Sequence, residues 1–229
     1  LAVDGKNRRA VVDKIITTVC SLYSPSDLEV VIYDFESKET SSFAEYIAGG
    51  KAFVPHVTKI KFITTDGFPV LDCLDEIENE ELERAKLFEN KGYADFSAYI
   101  ADCRRKSELP QLKRMLYVFY NADVPFGAND DAIGSLVRAK FEVLLTDAEK
   151  KGISVIVACP AAAALGEDVA DAFESKITAD ETKKGNYEIN YERTCLSFDG
   201  ADADSVYDEA TAVRKKFSGS GENQTVEEI

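Results

Sequence analysis

Uniformly apolar stretches alternate along the chain with segments in which apolar residues recur every three or four positions. The uniform stretches predict strands buried on both faces, because an interior strand of a parallel sheet has no solvent-facing side. The predicted strands cover residues 1–3, 28–34, 57–64, 115–120 and 153–158. Strands that alternate with amphipathic helices predict an α/β domain with a mostly parallel central sheet and helices on both faces.

The three- and four-residue spacing predicts helices between these strands. They cover residues 11–22, 70–90, 95–105, 135–150, 169–173 and 205–217. We predict loops at 35–55 and 123–134, and edge strands within 187–198. The final segment, 218–229, combines Gly-Ser-Gly with clustered acids, so we expect a flexible tail after a domain spanning 1–217.

A short glycine-containing turn, residues 4–9, joins the first predicted strand to the first helix. A turn in this position is where many nucleotide-binding proteins hold phosphates, because backbone N–H groups and the helix N-terminus converge on one point. The phosphate-binding pattern GxxxxGK[ST] is present here only in fragments.

The composition narrows the classes of function. The 229 residues carry a formal net charge of −15, which disfavours sequence-independent nucleic-acid binding because each phosphate contact needs a cation. The five cysteines form no CxxC pair and lie in apolar stretches, which predicts reduced thiols in a cytosolic compartment. His56 is the single histidine, so a zinc site or a histidine-based triad has little to build on.

The chain contains no apolar run of membrane-spanning length and no signal peptide. It begins at Leu1, within a predicted strand. We therefore expect it to be a piece of a larger protein, with any membrane anchor outside the sequence.

Several short motifs follow one another in a characteristic order. They lie at residues 23–25, 31–35, 55–57, 83–88, 92, 99, 122–123 and 152–154. This order resembles the motor domain of the FtsK/SpoIIIE family of P-loop ATPases, and more closely the ATPase modules of EssC and EccC from type VII secretion systems. The resemblance implies a RecA-like P-loop NTPase fold and covers residues 1–180, whereas the match is poor from Glu181 onward.

The nucleotide-binding positions of that family are altered. An alignment without gaps puts Arg8 at the position of the P-loop lysine and Arg9 at the position of the hydroxyl residue. Gly5 and Asn7 then fall on loop glycine positions, and Ala2 replaces the first glycine.

A second alignment sets Gly5, Lys6 and Asn7 against Gly-Lys-Ser, but it needs a two-residue insertion in the helix, and we prefer the ungapped alignment. Both alignments lack the hydroxyl that ligates Mg²⁺. The degenerate nucleotide-binding residues implied by the resemblance are Gly5, Lys6, Asn7, Arg8 and Arg9.

Two further positions depart from the family. Phe119, Tyr120 and Asn121 stand at the strand end where the family has the Walker B acid and a catalytic glutamate. Cys159 and Pro160 stand where the family has a Thr-Gln sensor pair. The resemblance therefore implies a pseudo-ATPase with no catalytic residue and no metal ligand, for which we expect no cofactor, or ATP and Mg²⁺ if the site is active.

By resemblance, the chain is a module of a multi-domain, membrane-anchored bacterial secretion ATPase, located in its cytoplasmic portion. It would have a structural, regulatory or substrate-docking role, with neighbouring ATPase domains and small helical secreted proteins as partners. It would meet the membrane only through other parts of the parent protein. The alternative is a divergent, active ATP-dependent DNA or protein translocase that binds ATP and DNA.

Three other groups of residues are functional candidates. The basic residues 104–106, together with 113–114, are a candidate surface for a nucleic-acid backbone or an acidic partner, although such clusters are more often solvated surface. Asp34 ends a central strand, and we interpret it as a cap of the following loop. Cys159 lacks an accompanying histidine, which argues against a nucleophile.

Overall fold

The computed structural model of the protein describes residues 1–35, 41–63, 67–126, 132–173, 175–179, 186–191, 194–199, 203–217 and 225–228. The strands in this part of the chain are Ala2–Asp4 (β1), Leu28–Phe35 (β2), Val57–Ile63 (β3), Arg114–Tyr120 (β4), Ile153–Ala158 (β5), Lys176–Ala179 (β6), Asn186–Tyr191 (β7), Thr194–Asp199 (β8) and Thr225–Glu228 (β9). The α-helices there are Arg8–Leu22 (α1), Gly67–Lys91 (α2), Phe96–Lys106 (α3), Asp123–Phe126 (α4), Ala132–Asp147 (α5), Glu167–Asp171 (α6) and Ala203–Lys216 (α7). Short 3-10 helices cover Ala44–Tyr46, Glu149–Lys151 and Ala162–Leu165.

The strands form one sheet in the order β8-β7-β6-β1-β5-β4-β2-β3-β9. All neighbouring pairs from β6 to β9 along this order are parallel, whereas β7 is antiparallel to both β6 and β8. The register brings Ile32 of β2 opposite Val118 of β4, and Val118 opposite Ile156 of β5. The central strands therefore start and end at nearly the same level, which gives the sheet a common carboxyl edge.

The core lies on both faces of the sheet because successive side chains of a strand point in opposite directions. On β2, Tyr33 and Phe35 join the cluster covered by α2 and α5, whereas Val30 and Ile32 join the cluster covered by α1 and α7. The prediction of a mostly parallel sheet with helices on both faces is confirmed.

Some element boundaries differ from the predictions. The predicted helix at 135–150 is α5 followed by a 3-10 turn, Glu149–Lys151. The helix α4 lies at the start of the predicted loop 123–134, of which residues 127–131 lie outside the described residues. The predicted edge strands within 187–198 are confirmed as β7 and β8.

The predicted tail contains one strand that its composition did not indicate. Residues Thr225–Glu228 pair in parallel with β3. The rest of the predicted tail, 218–224 and Ile229, lies outside the described residues.

Within the described ranges, no helix is both long enough and apolar enough to cross a membrane.

Candidate functional site

The carboxyl ends of four adjacent central strands hold most of the residues that the sequence singled out. Asp4 ends β1, Asp34 lies near the end of β2, Asn121 follows β4 and Cys159 follows β5. In open α/β sheets ligands bind at this edge, where loops leave the strands in different directions. We therefore take it as the candidate site.

The turn between β1 and α1 is shorter than a phosphate-binding loop. Ala2 pairs with both β5 and β6, so the position that starts the loop in the ungapped alignment is part of the sheet. Only residues 5–7 lie between the strand and the helix. Gly5 has φ of +97°, which glycine adopts without strain, and its N–H donates to the carbonyl of Pro160 at 3.1 Å.

The Arg8 guanidinium points into the sheet edge rather than out to solvent. Its Nη2 donates to Asn121 Oδ1 at 2.6 Å, and its Nη1 donates to the Gly5 carbonyl at 3.3 Å. The guanidinium carbon lies 5.3 Å from the centre of the Tyr120 ring. The residue that the ungapped alignment sets at the P-loop lysine position therefore contacts two of the residues that the resemblance sets at the Walker B position.

Asn121 connects this contact to a neighbouring strand. Its backbone is left-handed, with φ of +57°, which asparagine tolerates better than most residues. Its Nδ2 donates to the carbonyl of Phe35 at the end of β2, at 3.0 Å. The amide therefore uses its oxygen for Arg8 and its nitrogen for the backbone. Phe119, the first residue of this predicted trio, is fully buried within the core.

Arg9 is fixed by a separate set of contacts. Its Nε donates to Asp13 Oδ1 at 2.7 Å, one helical turn further along α1, and its Nη2 lies 3.3 Å from Glu45 Oε1. Its Nη1 donates to the Ser42 hydroxyl at 2.9 Å. The guanidinium carbon lies 3.6 Å from the centre of the Phe43 ring, within the range of a cation–π contact.

The Arg9 contacts continue into a wider network. Tyr46 donates its hydroxyl to Asp13 Oδ1 at 2.8 Å, and Tyr207 of α7 donates to Glu45 Oε2 at 2.9 Å. Burial raises the pKa of Asp13, against the opposing effect of the Arg9 charge. Burial also raises the pKa of Tyr46, so its hydroxyl stays protonated and acts as the donor. The network ties α1 and α7 to the segment after β2.

The remaining turn residues, Lys6 and Asn7, are exposed. Asn7 occupies the N-cap position of α1, and its side chain makes no capping hydrogen bond. Both lie at the sheet edge, but neither side chain is buried in the site.

Asp34 serves as the cap predicted from the sequence. Its carboxylate is buried, and Oδ2 accepts hydrogen bonds from the Ser41 hydroxyl at 2.6 Å and the Ser42 N–H at 2.9 Å. The interpretation as a structural cap is confirmed.

Cys159 lies in the same region as two carboxylates. Burial, together with the charges of Asp123 and Asp4, raises the pKa of the Cys159 thiol to about 12. The thiol is therefore protonated at neutral pH, in agreement with the interpretation that it is not a nucleophile. Asp4 Oδ1, Asp123 Oδ1 and Arg8 Nε are buried and have no hydrogen-bond partner among the described residues.

The basic cluster lies away from this edge. Arg105 and Lys106, at the end of α3, both pair with Asp102, and Tyr93 donates its hydroxyl to the same carboxylate at 2.7 Å. Arg114 is the first residue of β4, so it belongs to the opposite edge of the sheet. The cluster is thus partly neutralised by its own helix.

Arg84 belongs to the motif 83–88 but was given no structural role from the sequence, and it is among the most buried side chains described. Its Nη1 and Nη2 donate at 2.9 Å to the carbonyls of Lys151 and Lys113, which precede β5 and β4. The spacing gave a usable signal, because Arg84 continues the buried stripe of Ile77 and Phe88 along α2.

The described residues contain no group of three or more histidine, cysteine or acidic side chains arranged to hold a metal ion. His56 is buried at the amino end of β3, with Nε2 2.9 Å from the carbonyl of Tyr23. It lies at the edge of the sheet opposite to the candidate site.

The fold of the chain, including this edge of the sheet, is similar to that of several solved structures. No protein-family profile matches the chain, and no curated protein matches it. Among solved structures, EssC (ATPases 2 and 3) from Geobacillus thermodenitrificans matches with a TM-score of 0.71 and 15% identity, over 97% of this chain and 45% of that one. The chain has the RecA-like fold of the EssC ATPase domains.

Two further structures agree with this assignment of fold. Thermomonospora curvata EccC (ATPases 2 and 3), in complex with a signal sequence peptide, matches with a TM-score of 0.71 and 14% identity, over 100% of this chain and 43% of that one. The pCW3 conjugation coupling protein TcpA, in monomer form with ATPγS, matches with a TM-score of 0.62 and 14% identity, over 93% of this chain and 63% of that one.

The resemblance inferred from motif order is thereby confirmed at the level of fold. The chain spans less than half the length of the EssC and EccC structures, which contain two ATPase domains.

Proposed function

We propose that the chain is a catalytically degenerate ATPase module of a larger, multi-domain secretion ATPase. The strongest support is that both arginines of the first helical turn are bound by other residues of the chain. Arg8 contacts Asn121 and Tyr120, and Arg9 contacts Asp13, so both guanidinium groups are already engaged by the chain itself.

The residues at the site do not fit Mg-ATP. Mg²⁺ in P-loop enzymes is held by a hydroxyl at the Arg9 position and supported by an acid at the strand end, where Tyr120 and Asn121 stand. Asp4 Oδ1 and Asp123 Oδ1, which lack a hydrogen-bond partner within the described part of the chain, would repel phosphate oxygens. The short turn also offers fewer free amides than a full phosphate-binding loop.

A module of this kind acts through contacts instead of hydrolysis. We propose a structural, regulatory or substrate-docking role beside active ATPase domains, in the cytoplasmic portion of a membrane-anchored bacterial protein. The similar EssC and EccC structures, each with two ATPase domains and one of them with a bound signal sequence peptide, support this role. We propose small helical secreted proteins as the partners of this module.

The alternative, an active translocase that binds ATP and DNA, gains no support from the described contacts. It needs an acid at the end of β4, and it needs a basic surface on a chain whose net charge is −15.

The proposal is tested by the unfolding midpoint of the chain with and without Mg-ATP. A ligand that binds only the folded state raises stability in proportion to the logarithm of its concentration over Kd, so roughly 1 mM nucleotide reveals even weak binding. We expect no change relative to Mg²⁺ alone. A rise of several degrees that requires ATP would contradict the proposal.

A further inference from the structure

The outer edge of the sheet at β3 is covered by the chain's own C-terminal segment. Residues Thr225–Glu228 pair in parallel with Lys59–Phe62, with Thr225 opposite Lys59 and Glu227 opposite Lys61. An uncovered edge strand presents a row of unpaired N–H and C=O groups that invites pairing with another chain. The four residues of β9 therefore cover the edge of β3 along Lys59–Phe62.

The covering strand is joined to the domain by a segment of linker composition. Residues 218–224 read Ser-Gly-Ser-Gly-Glu-Asn-Gln, a sequence of the type found in flexible linkers. The ring of Phe217, just before this segment, lies 5.1 Å from the ring of His56, directly before β3. Thr225, just after it, pairs near the start of β3. Both ends of the segment thus lie at the same end of β3. Seven residues can span roughly 23–25 Å, so the segment is longer than this connection needs.

The charge of Lys61 favours a carboxylate on the strand that pairs with β3. The Lys61 ammonium is buried and lies 2.5 Å from Glu76 Oε1 of α2 and 3.5 Å from Glu227 Oε2 of β9. Burial alone would lower the pKa of Lys61, but its hydrogen bond to Glu76 and the nearby carboxylates raise it, so the amine stays charged. Glu76 also lies 3.8 Å from the ammonium of Lys59 and is shared between the two lysines. An incoming strand with a carboxylate opposite Lys61 supplies the second negative charge.

Few contacts hold β9 to the sheet. The described residues show four ladder positions and one ion pair, in which the Lys61 ammonium is buried and the Glu227 carboxylate is partly exposed. A four-residue strand at the edge of a sheet opens locally at a cost far below that of global unfolding, so a competing strand in solution can replace it.

We propose that the β3 edge is a strand-acceptor site for an extended acidic segment of a partner protein, and that residues 225–228 are its displaceable intramolecular occupant. Backbone hydrogen bonds supply the affinity, and a carboxylate opposite Lys61 supplies the selectivity. This inference does not depend on the state of the nucleotide site, which lies at the carboxyl ends of other strands.

The test uses the full chain and a labelled peptide with the sequence of residues 222–229. In the variant Val226→Pro/Glu227→Pro, one of the two prolines removes an N–H that faces β3, so the intramolecular strand is released. Fluorescence anisotropy is expected to show at least tenfold tighter peptide binding to this variant than to the unmodified chain. Equal binding to both, or no binding to the variant, would overturn the proposal.

A matched pair of peptides tests the selectivity. A peptide carrying Glu227→Lys is expected to lose binding to the proline variant, because it places a cation opposite Lys61. A peptide carrying Glu228→Lys has the same change of charge one position further on and is expected to retain binding. If both peptides lose binding equally, the acceptor site does not select a carboxylate opposite Lys61.

Hydrogen exchange of the unmodified chain gives a second measurement that does not require a variant. The amides of 225–228 are expected to exchange at least 100-fold faster than those of β4, and added peptide should leave β4 unchanged. Protection of 225–228 equal to that of β4 would show that the strand is a permanent part of the sheet and would overturn the proposal.

Discussion

Arg8 and Arg9 are neighbours at the start of α1, yet their guanidinium groups reach different parts of the molecule. Arg8 turns toward the end of β4, where Asn121 accepts its hydrogen bond. Arg9 lies against Phe43 and pairs with Asp13. A lysine followed by a hydroxyl residue could not make these contacts, because both depend on the planar, multidentate guanidinium group. The two arginines therefore stabilise the turn region that the resemblance sets against a phosphate-binding loop.

The Arg9–Asp13 pair can be measured by a double-mutant cycle. Arg9→Met leaves the largely buried carboxylate of Asp13 without its cation, so we expect a loss of about 2 kcal/mol in the free energy of unfolding. The double variant Arg9→Met/Asp13→Asn should lose clearly less than the sum of the two single variants. Additive losses in urea unfolding would show that the pair is not coupled.

Gly152 and Gly92 have similar left-handed backbones but differ in the space around them. Gly152 ends a 3-10 turn before β5 with φ of +77°, and Gly92 follows α2 with φ of +73°. A methyl group at Gly152 would lie 2.4 Å from Cγ of the Phe96 ring, whereas nothing lies within 4 Å of one at Gly92. Gly152 therefore requires glycine both for its left-handed backbone and for the close approach of Phe96. Gly92 requires it for the left-handed backbone alone.

We expect Gly92→Ala to lower the free energy of unfolding by about 1 kcal/mol, the cost of a left-handed alanine. Gly152→Ala should lower it by roughly 3 kcal/mol or more, because the Phe96 ring has to move as well. Urea unfolding of both variants checks this prediction. Equal losses would mean that the Phe96 ring moves away from the Gly152 turn without cost in free energy.

The end of α3 predicts a pH dependence. Hydrogen bonds from Arg105, Lys106 and Tyr93 lower the pKa of Asp102 below its ordinary value of 3.8. A carboxylate with a lowered pKa in the folded state contributes stability above its unfolded pKa and loses that contribution as the pH falls.

The difference in unfolding free energy between the unmodified chain and Asp102→Asn should therefore be constant from neutral pH down to about pH 5. It should shrink as the pH falls below 4, toward the native pKa of Asp102. Chemical denaturation at a series of pH values measures it, and a difference that stays the same in acid would rule out this contribution.

Elements with strong local patterns could be predicted from the sequence. The apolar runs of β2, β4 and β5 and the periodic spacing of α1 and α2 fixed the type and order of the central elements. β9 could not be predicted, because Thr-Val-Glu-Glu carries no strand pattern and its pairing depends on the edge of β3. The contact between Arg8 and Asn121 could not be predicted either, because 113 positions separate the two residues and only the folded sheet brings them together.

At the scale of the whole molecule, the sheet places its altered positions together. β1, β5, β4 and β2 are adjacent, so turns that lie far apart in the sequence meet at one edge. The resemblance implies three departures, at Arg8, at Tyr120–Asn121 and at Cys159–Pro160, and in the fold these positions lie close to one another: Arg8 contacts Asn121 and Tyr120, and Gly5 bonds to the carbonyl of Pro160. This arrangement is the physical basis for proposing a module that works through contacts with neighbouring domains.

Isothermal titration calorimetry of the unmodified chain with Mg-ATP tests the central proposal most directly. Arg8→Ala serves as the site variant, and Arg104→Ala, a cation on the exposed end of α3, serves as the matched control. We expect no saturable heat up to about 1 mM nucleotide, which corresponds to a binding free energy weaker than about −4 kcal/mol. Saturable binding that Arg8→Ala abolishes and Arg104→Ala retains would contradict the proposal, because it would show that arginine replaces the P-loop lysine in a working nucleotide site.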